Sequence, residues 1–590
     1  MNILLINPPQ IPMQDFSVLT ALRKGYPAYP PNGLGHLVSA LAERGRKSVE
    51  LYDCHLEGML KIMSEEAGKK EIFLELLEEK LKSVGPVKVI GLTIMFSSLL
   101  ENNRACLKLI RDIHPDAVVV VGGVHATMAT KSLYPLDEID YILSYEGEHT
   151  FPQFLDLVID GKGRKEDIQG LHYRVEGSFV GNVGANVTGE RTDIEQIPWI
   201  DWKAIRVQEY YKTGRFGGAY ALGESENTPF APIMTTRGCR AECAFCTVHN
   251  VQGRNVRMRS PKNVVDEIEY LNKELGIKFF EVLDDDFTYN RQRSIDICKE
   301  ITNRKLDIVW TAKNGLIACS LNRELIEVFY ESGCRYIQIG VESGNKEILK
   351  WIRKPLSLPK LHKVRQIFQD FPDIYLAGYF MLGFPQETKE QMIDTYELAL
   401  ALELDWCAIT MAQPLPSSRM YETFVVEGII EDDEVAYDDL KFFHSTVGNK
   451  HMTRREILDM WYEFNIGVNF VNNKNLRFDN IDRAIRDFQH VGYEIAPSHA
   501  MAIYCLGQAQ LKKGDLEAAA TCFAETQKIL KDNQEWVRWF EHFQIDFDEP
   551  IDSLKRAQQI SKRFGSSPEV SMKTYNQTRT MEGSALPKLI

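Results

Sequence analysis

Short apolar runs alternate with helical patterns through the first 165 residues. Residues 2–7 read as a strand; Leu34, Leu37, Leu41 and Ala42 then recur at helical spacing until Gly45, a residue suited to stopping a helix. Val49–Tyr52, Val89–Met95, Ala117–Val121 and Ile139–Leu143 are four more runs of strand length. Strands separated by helix-length segments predict an α/β domain with a doubly wound parallel sheet, whose ligands bind beyond the carboxyl ends of the strands. Those ends carry Ser97-Ser98, Gly122-Gly123-Val124-His125-Ala126-Thr127 and Glu146-Gly147-Glu148. A diglycine lets backbone lie against a large flat ligand with no side chain between them.

A second alternating region spans 226–430. Pro232–Thr236 reads as a short strand. Ser260 is a fitting N-cap, Pro261 a fitting first helical residue, and Val264, Ile268, Leu271 and Leu275 form one face before Gly276. Ile277–Leu283, Ile308–Ala312, Tyr336–Ile339 and Tyr375–Met381 continue the series and predict a full or partial βα barrel, with chemistry at the strand C-terminal ends. Polar segments fall there: Asp284-Asp285-Asp286, Gly340-Val341-Glu342-Ser343-Gly344 and Gly383-Phe384-Pro385-Gln386-Glu387-Thr388. From 431 to 590 helical periodicity takes over, with a tetratricopeptide-like hairpin from Leu506-Gly507 through Gly514 to Phe523 and a frayed tail over the last 25 residues. The predicted organisation is 1–165, a linker over 166–225, 226–430, and an all-helical 431–590.

Cys239, Cys243 and Cys246 add the chemistry. Three thiols within eight residues, in Arg-Gly-Cys-Arg-Ala-Glu-Cys-Ala-Phe-Cys, hold three corners of a cubane iron–sulfur cluster and leave one iron open, because no fourth cysteine follows nearby. Zinc is the competing reading, since His249 completes a Cys3His set; yet structural zinc sites space two knuckles further apart. The other eight cysteines, Cys54, Cys106, Cys298, Cys319, Cys334, Cys407, Cys505 and Cys522, are scattered singly, as in a reducing cytoplasm.

Composition narrows the classes. A 590-residue chain that is 44% apolar holds several domains, and a net charge of −14 argues against a nucleic-acid partner. No apolar run is long enough for a membrane span, and the opening residues, broken by Pro8, read as a strand and not a signal peptide.

The C-x3-C-x2-C run with Phe245 before its last cysteine resembles the signature of radical S-adenosylmethionine (SAM) enzymes. With Asn7-Pro8-Pro9, Gly122-Gly123-Val124-His125-Ala126-Thr127 and Glu146-Gly147-Glu148-His149-Thr150, residues 1–420 resemble the cobalamin-binding branch of that family. The resemblance implies a 4Fe-4S cluster on Cys239, Cys243 and Cys246, with SAM chelating the open iron. It places Phe245, Asp284, Asp285, Glu342 and Ser343 near SAM, and Ser97, Ser98, Gly122, Gly123, His125, Glu146 and Gly147 around cobalamin. It further implies an oxygen-sensitive cytoplasmic enzyme served by a flavodoxin or ferredoxin-type electron donor. The activity implied is methylation of an unactivated carbon in a small-molecule, lipid or tetrapyrrole substrate, through a 5′-deoxyadenosyl radical and methylcobalamin.

Two departures bear on substrate. Arg240-Ala241 stands where the family often has a proline and an aromatic, and Pro414-Leu415-Pro416-Ser417-Ser418 where Pro-x-Pro-Gly-Thr is common. Asp53-Cys54-His55-Leu56-Glu57-Gly58 spells the cobalt-ligating D-x-H-x-x-G motif, but after the second strand instead of the first, and is read as coincidence. The runner-up activity is a cyclisation like that of anaerobic magnesium-protoporphyrin ester cyclase. A tRNA methylthiotransferase would need a second cysteine cluster and a basic tail, and neither is present.

Overall fold

The computed structural model describes residues 2–65, 72–182, 193–216, 228–431, 447–478 and 480–564, so the tail expected at the C-terminus lies outside the described residues. The chain divides into two compact units, Met1–Leu398 with Ala408–Asp459, and Ala399–Cys407 with Met460–Ile590. The cysteine loop, the first alternating region and most of the second belong to the first unit.

The first sheet is built from β1 (Ile3–Asn7), β2 (Val49–Asp53), β3 (Val89–Thr93), β4 (Val118–Gly122), β5 (Tyr141–Leu143), β6 (Leu171–Val175) and β7 (Ser178–Gly181), in the order β2-β1-β3-β4-β5-β6-β7. The pairings from β2 to β5 are parallel; β5–β6 and β6–β7 are antiparallel. Residues 171–181, inside the stretch read as a linker, thus extend the sheet. Alternation along each strand sends side chains to opposite faces. Leu4, Ile6, Ile90, Leu92, Val119 and Val121 pack under helices 54–65, 72–83 and 100–113. Ile3, Leu5, Val89 and Val120 pack under α1 (Asn32–Glu43), through Leu34 and Leu41, and under a helix after β5, through Phe151, Phe154 and Leu155. Two covered faces explain why these strands read as nearly continuous apolar runs.

The second sheet comprises β8 (Phe230–Ile233), β11 (Phe279–Val282), β12 (Val309–Leu316), β13 (Cys334–Glu342), β14 (Tyr375–Leu382) and β15 (Trp406–Met411), in that spatial order, with parallel pairings from β8 through β14. It is an open run of six strands among the described residues, the partial form of the predicted barrel. Between β8 and β11 a short antiparallel ribbon, β9 (Thr236–Arg237) with β10 (Arg257–Met258), closes the base of the cysteine loop. The helix predicted after Ser260 forms as read. It spans Pro261–Leu275, the Ser260 hydroxyl accepts from Asn263 N, Gly276 ends it in the left-handed conformation, and Val264, Ile268, Leu271 and Leu275 are its buried face.

In the second unit, helices 500–513 and 516–532 form the anticipated hairpin, with Gly507 lying against the Phe523 ring. Their apolar faces join Phe470, Phe488, Trp539 and Phe540 in one core. A lone hairpin cannot cover its own faces, and here neighbouring helices cover them.

Candidate functional site

The cysteine loop leaves β8 through Met234 and Thr235. Asp284, at the end of β11, fastens that exit: its Oδ1 accepts from Thr235 N at 2.5 Å and Thr236 N at 3.0 Å, and the Thr235 hydroxyl donates to its other oxygen. Gly238 adopts φ +96, and a Cβ there would lie 2.6 Å from Asn255 O, so the turn into Cys239 admits only glycine without a shift. Further along, Ala244 N donates to Ile352 O at 2.8 Å and Ala244 O accepts from Met420 N at 2.9 Å. Phe245 packs beside Phe384, Ile352 and Met420. The loop is therefore fixed at both shoulders and in the middle, while Cys239 and Cys243 are half-buried and Cys246 is exposed. Burial pushes the Cys239 thiol up to about 11 and the Cys243 thiol up to about 12.

The three aspartates after β11 have separate tasks. Asp284 holds the loop exit. Asp286 is fully buried and takes two bonds from Arg240, at 2.6 Å from Nε and 2.7 Å from Nη2. Asp285 lies between them, its carboxyl pushed up to about 6 by burial and opposed by the Gly238 amide. The segment is not a solvated loop: Arg240 and Arg293 neutralise its flanking charges. Glu342, at the end of β13, is buried at φ +69, an uncommon conformation for a non-glycine residue, and pairs with Lys354 Nζ at 2.7 Å. Ser343 is wholly buried, hydrogen-bonded to Thr395 Oγ1 at 3.1 Å and to Asn345 N at 3.1 Å.

His249, the fourth member of the competing zinc set, has its Nε2 2.9 Å from Cys239 O. Among the described residues no group of three or more His, Cys, Asp or Glu side chains, the three cysteines included, is gathered as a metal site.

Beyond the carboxyl ends of the first sheet lies a largely apolar cavity of about 370 Å3. Gly91, Gly122, Gly123 and Gly147 line it from the sheet side, with Tyr29, Pro30, Pro31, Phe96 and Tyr145 from the loops. Met234, Arg237, Val251 and Gln252, which flank the cysteine loop on either side, complete the wall. Gly123 sits at φ +108, where a Cβ would be 2.6 Å from Ile94 O. The cradle suits a flat ligand bearing polar groups at its rim. Asn32 Oδ1 and Gln252 Oε1 in its walls are buried acceptors with no hydrogen-bond partner.

Of the residues expected around cobalamin, Gly122, Gly123, Glu146 and Gly147 line this cavity. Ser97, Ser98 and His125 are not among its lining: His125 is buried with Nδ1 2.8 Å from Ser97 Oγ and Nε2 3.0 Å from Ser132 Oγ. His55 is also outside the lining, wholly buried near Phe73, with Nδ1 accepting from Gln10 N at 3.3 Å. Two groups escaped the sequence reading. Lys354 carries no motif, and only its contact with Glu342 marks it. Arg237 and Arg257 look like ordinary surface charges in sequence, but Arg237 is buried against Glu146 and Glu148 and half-buried Arg257 pairs with Glu146. Burial alone would raise Glu148; Arg237 overcomes it and holds the carboxyl at about 2. Neighbouring His36 is pushed down to about 4 by burial, so it is neutral at neutral pH.

Comparison with known proteins agrees with this arrangement. A family model described as the radical SAM superfamily matches residues 233–399. A protein of Pyrococcus horikoshii named as an uncharacterized methyltransferase is 27% identical over 68% of this chain and 80% of its own length. Anaerobic magnesium-protoporphyrin IX monomethyl ester cyclase of Rubrivivax gelatinosus is 25% identical over 73% of this chain and 72% of its own. Among solved structures, the cobalamin-dependent SAM radical enzyme OxsB, with aqua-cobalamin and SAM bound, superposes with a TM-score of 0.59 at 16% identity, covering 98% of this chain and 83% of that one. That likeness is one of fold.

Proposed function

We propose that this radical SAM enzyme, whose domain occupies residues 233–399, is a cobalamin-dependent methyltransferase acting on an unactivated carbon. The observation that carries the reading is the shared wall: residues on both sides of the Cys239–Cys246 loop line the cavity at the carboxyl edge of the first sheet. Two cofactors held there would face one another across a single space.

Cys239, Cys243 and Cys246 hold the 4Fe-4S cluster in this reading, which when bound with SAM supplies an adenosyl radical, while cobalamin supplies the methyl carrier. Region 226–430 presents the cluster and region 1–165 the corrin. Asp285, which has no arginine partner of the kind Asp286 has, would meet the cationic end of SAM. Glu342 and Lys354 offer an acceptor and a donor to its amino-acid group, and Phe245 anchors the loop beneath. Gly122, Gly123 and Gly147 let the corrin approach the sheet. No side chain is needed as general acid or base, so the protein's part is to hold both ligands and exclude water.

A small-molecule substrate, a flavodoxin or ferredoxin-type electron donor and a reducing, cytoplasmic setting follow from that chemistry. Eleven unpaired cysteines support the setting, and no helix among the described residues is long and apolar enough to cross a membrane. The cyclase of Rubrivivax gelatinosus supports a second reading, ring closure without methyl transfer. The test is anaerobic reconstitution with iron, sulfide and cobalamin, then incubation with trideuteromethyl-SAM and extract of cells lacking this chain. A metabolite that gains the label supports methylation. Consumption of a metabolite with no label in its product supports cyclisation, and failure to bind cobalamin overturns both.

A further inference from the structure

Four charges, Arg237 buried and three others half-buried, connect the cysteine loop to the first sheet. Arg237 and Arg257 are directly opposed in the β9–β10 ribbon, and Cys239, Cys243 and Cys246 all fall in the loop between them. Arg237 Nη2 donates to Glu148 Oε1 at 2.6 Å, and its Nη1 lies 3.3 Å from Glu146 Oε1. Arg257 Nη1 donates to Glu146 Oε2 at 2.8 Å. The side chains of Arg237, Glu148, Arg257 and Glu146 are 9, 10, 13 and 15% exposed. Glu146 stands just before the helix Gly147–Asp160 that follows β5 and Glu148 in its first turn, and Glu146, Glu148 and Arg237 line the cavity.

We infer that this network couples the two cofactor sites, with Arg237 and Glu148 as positioning residues through which filling the cavity steadies the cysteine loop. The inference rests on the two-cofactor reading above. Its physical basis is that the same two carboxylates form part of the cavity wall and hold the arginines that close the loop. A ligand that fixes Glu146 and Glu148 also fixes the ribbon from which the thiols project. A water-filled cavity leaves those carboxylates freer to rearrange, and the ribbon loosens with them. Linkage makes the effect reciprocal at equilibrium: whatever factor cobalamin adds to cluster affinity, the cluster adds to cobalamin affinity, while the rate of iron loss shares the direction of the effect and not its size.

The experiment uses the full-length reconstituted protein and measures the rate at which a chelator strips iron, with and without hydroxocobalamin. Wild type is expected to lose iron about tenfold more slowly with cobalamin bound, and to bind hydroxocobalamin about tenfold more tightly with its cluster than without. Glu148→Gln is expected to bring both ratios within about twofold of unity. A merely structural role would speed iron loss equally in both states and leave the ratio unchanged. An unchanged ratio in Glu148→Gln, or a ratio of unity in wild type, overturns the coupling. Where Glu148→Gln melts early, Glu146→Gln serves instead: it leaves the Arg237–Glu148 pair standing, and its ratio is expected to fall part of the way. Wild type that assembles a cluster but never takes up hydroxocobalamin would instead sink the two-cofactor reading itself.

Discussion

Lys354 Nζ donates to Glu342 Oε1 at 2.7 Å, with the two side chains only 12 and 8% exposed. Burial alone would lower the ammonium, and the Glu342 carboxylate overcomes it and holds Lys354 above its ordinary range. Removing one member of a buried pair strands the other, at a cost of about 3–5 kcal/mol. Lys354→Met is therefore expected to lower unfolding free energy by about that amount. Chemical denaturation of the reconstituted protein measures it, and a loss below about 1 kcal/mol would contradict the pairing.

Replacing any one of Cys239, Cys243 or Cys246 by alanine is expected to abolish stable iron and sulfide uptake. Cys298→Ala, which removes a buried thiol elsewhere in the same unit, is expected to leave uptake unchanged. Iron and sulfide assays with the visible spectrum of the reconstituted proteins decide this. Equal uptake in all four variants would exclude the loop as the cluster site.

Gly123→Ala places a methyl group 2.6 Å from Ile94 O at φ +108. Strain there costs on the order of 1–3 kcal/mol, and the backbone shift that relieves it moves the cavity wall. The expected outcome is a lower melting temperature together with at least about tenfold weaker hydroxocobalamin binding in a spectroscopic titration. Binding at wild-type strength would show that the ligand does not lie against this turn.

Glu387 is fully buried in the loop after β14; its Oε2 accepts from Gly383 N at 2.8 Å and Phe384 N at 3.2 Å, and its Oε1 has no partner. Burial pushes the carboxyl up to about 8 from an ordinary 4.5. The folded chain thus keeps a proton that the unfolded chain releases, so stability is fully present below about pH 4.5 and falls as pH rises to about 8. The change is on the order of 5 kcal/mol. Glu387→Gln, which cannot ionise, is expected to flatten this part of the stability profile and to exceed wild type at pH 8.5. Urea unfolding across that range would show parallel curves if the residue stayed ionised throughout.

Much of the fold was legible in local signals. Ser260, Pro261 and Gly276 mark the ends of one helix in sequence and cap it in space, because caps act on neighbouring residues. The parallel strands were legible because both faces are covered and the runs stay apolar. The β6–β7 hairpin was not: Val175 and Val180 are largely exposed, and the edge strand has no continuous apolar run. Its signal is the turn, Glu176 and Gly177, both at positive φ. The site divides the same way. Three cysteines in one loop announce themselves. Lys354 beside Glu342, and Arg237 beside Glu148, are partnerships that only the fold creates, so neither residue carries a mark of its own.

The position of β1 between β2 and β3 has a consequence for synthesis. The strand leaves the ribosome before both of its neighbours, which emerge tens of residues later, and the pairings they form are slow to close. Until then Leu4 and Ile6, wholly enclosed in the finished protein, face water. The nascent chain is prone to misassociate during that interval, and chaperones that shield this strand should raise the yield of active protein.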